Sequence, residues 1–234
     1  MDKPERKAET IFRLIQFSDA TFPVGAFSFS NGLETAAHIG LVHDARTLQE
    51  YVESAARQAA YSDGVTALQT FRAASDDNYE RILEADRRLI LFKMNEEARL
   101  MLTRMGRKLA ELGARLFPGE TLFSRWLEDI RENRTPGTYP AAQGIAFFLA
   151  GLDEKALFTS HQYGVINMIL SAALRCLRVS HYDTQEILFR LGEKVEAAYE
   201  KARDMKFENM HAFVPELDIM ASLHEKGRMR MFMN

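Results

Sequence analysis

The side chains best suited to hold a metal or act as a nucleophile are six histidines (His38, His43, His161, His181, His211, His224) and one cysteine, Cys176. No two histidines form an H-x-x-x-H pair and none joins Cys176 in a cluster, so spacing alone writes no closed metal site. Cys176 stands in an apolar run, where a small buried thiol is the ordinary reading, and a lone cysteine excludes an intramolecular disulfide framework. A reducing, cytoplasmic setting is expected. No G-x-x-x-x-G-K-[ST] stretch is present, so nucleotide chemistry would belong to a partner. Ser28 follows Gly25-Ala26-Phe27 without the second glycine of a nucleophile elbow, which removes the obvious hydrolase reading.

The densest local specification is DATFPVGAFSFSNGLE, from Asp19 to Glu34. Pro23 fixes its own backbone and restricts the residue before it. Gly25 and Gly32 permit angles or close approaches that other residues resist, and Ser28, Ser30 and Asn31 supply caps. By itself the segment reads as a shaped helix-to-helix junction. An enzyme of helical-bundle type would need a pocket here, lined by Phe27, Phe29, His38 and nearby carboxylates, but no paired catalytic signature accompanies it.

The elements that must position these residues are helices. Apolar residues recur at three and four along the chain, while alternating runs rich in Val, Ile and Thr are missing, which predicts an all-α fold. Helices are expected near 8–18, 29–38, 46–75 with a break at Ser62-Asp63-Gly64, 77–92, 95–116, 121–133, 140–151, 154–178, 184–203 and 215–225, roughly eight to ten in all given typical lengths. Thr47-x-x-Glu50 and Asp183-x-x-Glu186 have the form of capping boxes, Asp153 is placed to cap the next helix, and Pro140 suits a first turn. Tyr163 to Leu177 is apolar nearly all round, so the 154–178 helix should be central.

With 234 residues, 47% hydrophobic and 27% charged, the chain can bury a sizeable core. The loops near 117–120 and 134–140 are too short to separate units, so one domain over 1–234 is expected, with 1–8 and 226–234 its loosest parts. A formal net charge of -3 with scattered Lys and Arg argues against a nucleic-acid partner. The start, MDKPERKAET, does not read as a secretory signal, and the longest uncharged stretches carry Pro, Gly or polar residues, so no membrane span is expected.

Taken together, Asp19, Pro23, Val24, Gly25, Phe27, Ser28, Ser30, Gly32, Leu33 and Glu34 resemble the D-x-x-x-P-V/I-G-x-Y/F-S-x-S-x-G-L-E motif of the urease accessory protein UreF family. The likeness continues through Glu97, Arg99 and Gly106, then Tyr139, Pro140, Ala142, Gly144 and Gly151-Leu152. It runs on through Asn167, Ser171, Ala172, Ala173 and Arg175, and ends at His224, Glu225, Arg230 and Phe232. It departs at Leu177 to Gln185, where the family's V-P-L-G-Q-x-x-G-Q loses its Pro, both Gly and one Gln. Arg228-Met229 also replace the usual Tyr-Ser of the tail.

The resemblance implies a non-catalytic maturation factor that binds no cofactor itself. Such a factor joins the accessory protein UreD (UreH) and the GTPase UreG, regulates the GTPase, and serves nickel delivery to apo-urease as a homodimer. Nickel and GTP are then implied through partners, or, given the altered 178–185 segment, the scaffold has kept the fold and changed its client. The residues expected to matter are Pro23, Gly25, Ser28, Gly32 and Glu34 for the junction, Arg175 for a satisfied polar network, and His224, Glu225, Arg230 and Phe232 for tail docking.

Overall fold

Helical spacing in the sequence becomes helix throughout: a computed structural model describes residues 7–212, 214–225, 227, 231 and 232, and no strand occurs among them. The chain runs α1 (Lys7–Ser18), a 3₁₀ turn (Ala26–Ser28), α2 (Leu33–His38), α3 (Ala45–Ala59), a π-helical turn (Ala60–Gly64) and α4 (Val65–Ser75). Then come α5 (Tyr79–Leu91), α6 (Glu96–Leu116), α7 (Leu122–Arg131), α8 (Tyr139–Leu149) and α9 (Glu154–Cys176). It closes with α10 (His181–Gly192), α11 (Val195–Ala202), a 3₁₀ turn (Phe207–Asn209) and α12 (Pro215–Glu225). The long apolar α9 is the axis, packed against α1, α2, α3, α4, α8, α10 and α11. No described helix is long and apolar enough to cross a membrane.

Several boundaries differ from expectation for identifiable reasons. The break at Ser62-Asp63-Gly64 is a π turn that carries α3 into α4 without an interruption. The expected helix at 29–38 begins only at Leu33, because Gly25 (φ 88°), Asn31 (φ 53°) and Gly32 (φ 79°) are left-handed. Segment 184–203 divides at the Gly192–Lys194 corner. Both predicted capping boxes sit three residues late. Asp44 is the N-cap of α3, with Thr47 as its third-residue partner, and Ser180 caps α10 with Asp183 in that role. Asp153 caps α9, accepting from the Ala156 N–H at 2.7 Å, and Pro140 occupies the first turn of α8. The segment Leu177 to Gln185, where the family pattern is lost, is mostly the capped start of α10. Expectations about the termini fall largely outside the described residues.

Three close approaches fix the packing of α4, α6, α7 and α8. A Cβ on Gly144 of α8 would lie 2.6 Å from the Ala67 carbonyl of α4, and one on Gly113 of α6 would lie 2.2 Å from the Phe123 ring of α7. At Gly106 of α6, a Cβ would lie 2.1 Å from the Gly137 carbonyl and 2.4 Å from the carbonyl carbon of Thr138. That loop is held by Asp86 of α5, buried, which accepts from the Thr135 hydroxyl at 2.6 Å and from the Gly137 and Thr138 N–H groups, each at 2.8 Å. Burial pushes the Asp86 carboxyl above its usual range even though these three donors favour the carboxylate. Because α6 rests on backbone there rather than on a movable side chain, the crossing has little room to yield.

Gly106→Ala should therefore lower stability by about 2 kcal/mol or more, with a fall of several degrees in Tm. Gly192→Ala, with open space at its Cβ, should leave Tm within about a degree, since surface changes stay within roughly 0.5 kcal/mol. Thermal unfolding followed by circular dichroism checks both.

Candidate functional site

The junction between α1 and α2 is shaped residue by residue. The Asp19 carboxylate accepts from the Thr21 N–H at 2.6 Å and from its hydroxyl at 2.7 Å, which turns the chain at the end of α1. Those two hydrogen bonds hold the carboxyl below its usual range. Pro23 is exposed on the turn that follows, and Gly25 leads into the 3₁₀ turn that carries Ser28. The turn leaves Phe27 68% exposed while Phe29 is buried in the core. Gly32 is needed for space as well as for its angle. A Cβ there would lie 3.0 Å from both the Tyr51 hydroxyl and the Ala221 nitrogen. Tyr51 uses that hydroxyl to donate to the Asn31 carbonyl at 2.8 Å, which fixes the entry to α2.

One turn later, Glu34 meets the C-terminal segment. His224 of α12 is buried, with Nε2 at 2.9 Å from Glu34 Oε2 and Nδ1 at 2.5 Å from Glu97 Oε1 of α6. An imidazole whose two nitrogens both face carboxylate oxygens is satisfied only when both carry a proton or when a carboxyl shares one. Glu34 also accepts from the backbone N–H groups of Met231 at 2.8 Å and Phe232 at 3.2 Å. Burial alone would raise the Glu34 carboxyl, but the Met231 N–H, His224 and the Phe232 N–H outweigh it and hold it below the usual range.

Glu225 completes the contact from the other side. It accepts from the Glu97 N–H at 3.0 Å, placing a carboxylate at the N-terminus of α6, where the helix dipole and unpaired amides favour negative charge. Asn95 is the side-chain cap of the same helix, accepting from the Ala98 N–H at 2.8 Å and donating to Asp218 of α12 at 3.0 Å.

Arg175 closes the group. It is exposed at the end of α9, yet it donates to the Phe27 carbonyl at 2.9 Å and its guanidinium lies 4.0 Å from the centre of the Phe232 ring. Phe232 itself is buried against α9 and its neighbours. Six of the residues marked in the sequence therefore converge: Gly32, Glu34, Arg175, His224, Glu225 and Phe232. Pro23 and Ser28 lie on the nearby junction, while Arg230 lies outside the described residues. Glu97, noted in the sequence only as part of a diverged stretch, proves to be the second carboxylate on His224.

The residues expected to line an enzyme's pocket do not come together, because Phe29 is in the core, His38 is exposed at the end of α2, and neither lines the cavity beside Phe27. No group of three or more His, Cys, Asp or Glu among the described residues is arranged to hold a metal ion.

The most specified polar group of the described residues thus fastens the C-terminal segment to a helical body. A sequence profile of the family described as UreF matches residues 42–192. The chain is 46% identical over 229 residues to Urease accessory protein UreF 2 of Brucella suis, covering 98% of this chain and 94% of that one. It is 42% identical over 227 residues to Urease accessory protein UreF of Yersinia pseudotuberculosis, covering 97% and 99%. The chain belongs to the UreF family of urease accessory proteins, a non-catalytic family.

Removing the Glu34 carboxylate leaves His224 and two tail N–H groups short of an acceptor, so Glu34→Ala should cost about 2 kcal/mol in chemical unfolding. Glu50→Ala, at an ion pair with Arg46 whose side chains are 64% and 70% exposed, should cost under about 0.5 kcal/mol. Since the folded Glu34 carboxyl lies below its ordinary value of 4.5, its contribution is complete above that pH and is lost as pH falls through the lowered value. The stability difference between native protein and Glu34→Ala should shrink over that acid range.

Proposed function

We propose that this chain is the scaffold of a urease-maturation complex, joining an accessory protein of the UreD (UreH) class to a GTPase of the UreG class so that nickel, as cargo, reaches apo-urease. In this reading it works in the cytoplasm as a homodimer, performs no chemistry itself, and regulates the GTPase by presenting different contacts to its nucleotide states. A partner's equilibrium shifts only through such differential contacts. Nickel and GTP are bound by the partners.

The observation that carries the reading is the convergence of the junction and the C-terminal segment on Glu34 and His224. It fixes two segments distant in the chain against one another, with Phe27 68% exposed on the junction and Arg175 linking the Phe27 carbonyl to the Phe232 ring. Exposed aromatic and arginine side chains are the usual anchors of protein interfaces. A second apolar surface lies on α1, where Ile11, Phe12 and Ile15 are 58%, 70% and 60% exposed, as a subunit contact requires. Because Phe232 is buried in its own chain, its role is to fix the tail in place, while Phe27 is the aromatic group available to a partner.

Co-expression with a UreD-class and a UreG-class protein, followed by size exclusion with and without GTP and Ni²⁺, tests the proposal. Both partners should co-elute with the native chain. Phe27→Ala should weaken that complex by about tenfold, a hot-spot loss of roughly 1.4 kcal/mol, without changing helicity. Failure of either partner to co-elute under every condition would remove the scaffold reading.

A further inference from the structure

Helix α10 is apolar on two opposite faces. Ile187 and Leu191 are buried in the cluster that joins it to α3 and α9, and that stripe accounts for its packing on the body. On the reverse face Tyr182 is 83% exposed and Phe189 76%, more than any other large apolar side chain among the described residues. Seven residues make almost two full turns, so both rings project from the same side, about 10 Å apart along the axis. A lone exposed ring is ordinary surface, whereas two aligned on the solvent face of one helix form a seam.

The charges around the seam repeat its symmetry. Arg178 stands four residues before Tyr182, on the segment entering α10, and Glu193 stands four residues after Phe189, at its end. Both are exposed, and neither pairs with another of the described residues. The nearby cations are taken up within the chain, Arg190 by Glu186 at 2.9 Å and Lys194 by Glu53 at 2.5 Å.

Cation, ring, ring and anion thus follow one another at spacings of four, seven and four. A two-fold axis through the middle of the helix, between Gln185 and Glu186, exchanges ring for ring and brings cation to anion. A self-contact of closed symmetry uses the same patch on both subunits and needs a patch complementary to itself. A contact with an unrelated protein makes no such demand.

We propose that the outer face of α10 is a self-association surface, on which a second copy of this chain packs its own α10 antiparallel. Tyr182 of each copy then meets Phe189 of the other, and Arg178 meets Glu193. The surface is separate from the apolar one on α1 and does not depend on what α1 binds. A contact between two helices of 12 residues is at the small end of interface sizes, so the association is reversible and rises with concentration.

Sedimentation of the full-length chain over a range of concentrations tests this through a charge exchange. The native chain should gain mass with concentration beyond that of the Tyr182→Ser, Phe189→Ser double variant, which lacks both anchors. Arg178→Glu alone and Glu193→Arg alone should each weaken the association about tenfold, because the two-fold axis sets like charges together at two places. Arg178→Glu combined with Glu193→Arg should restore it to within about twofold, since each altered side chain again meets its opposite. The two residues do not pair within one chain, so a purely structural role would give no such rescue. The reversals put an acid near the start of α10 and a base at its end, which suits the helix dipole, so helicity by circular dichroism should hold. Equal mass for the native chain and the double serine variant, or a combined reversal as weak as the single ones, would overturn the assignment and leave this face to a different protein.

Discussion

One imidazole between two carboxylates holds the two ends of this chain to its middle. His224 reaches Glu34 across 190 residues of sequence and Glu97 across 127. Neither contact is available to a chain that lacks the rest of the fold, because α2, α6 and α12 must first be packed. The group is largely removed from water, so each partner depends on the others: deleting one leaves a buried charge or donor without an answer, which costs more than the pair contributes when intact. That asymmetry makes the clasp an all-or-none feature. Glu34 has three roles at once, as a residue of the first turn of α2, a partner of His224, and the acceptor for two tail amides.

The clasp needs a rigid frame, and the frame comes from small residues rather than from large ones. Gly106, Gly113 and Gly144 let backbone meet backbone or ring face across the α4, α6, α7 and α8 crossings. Asp86 pins the loop on which α6 rests. Since α6 carries Glu97 at its N-terminus, its position along α8 decides whether that carboxylate arrives within reach of His224. Packing in the body and docking of the tail are in this way one mechanical system. The Glu225 carboxylate adds a return link by capping the helix that its neighbour His224 contacts.

Much of this was legible in the sequence where the signal is local. Helical periodicity gave the class and most elements, Asp153 and Pro140 marked helix starts, and the apolar run from Tyr163 identified the axis. The two capping boxes were read three residues late because Thr47 and Asp183 are reciprocal partners at the third position, which carry the same residue types as caps. Asn31 and Gly32 announced a turn, but only the left-handed angle at Gly32 and the nearness of Tyr51 and Ala221 show why glycine is required. The clasp could be named in parts, as Glu34, His224, Glu225 and Phe232. Its second carboxylate could not, since Glu97 sits among Glu96 and Arg99 in what reads as a solvated face.

The central claim is that the C-terminal segment is held to the body by His224 and its two carboxylates. Amide hydrogen exchange at Met231 and Phe232 in the full-length chain measures this directly. The account predicts slow exchange at both amides in the native protein and fast exchange at both in His224→Ala, with the amides in the middle of α9 unchanged. Fast exchange at both in the native protein, or protection that survives the loss of His224, would contradict it.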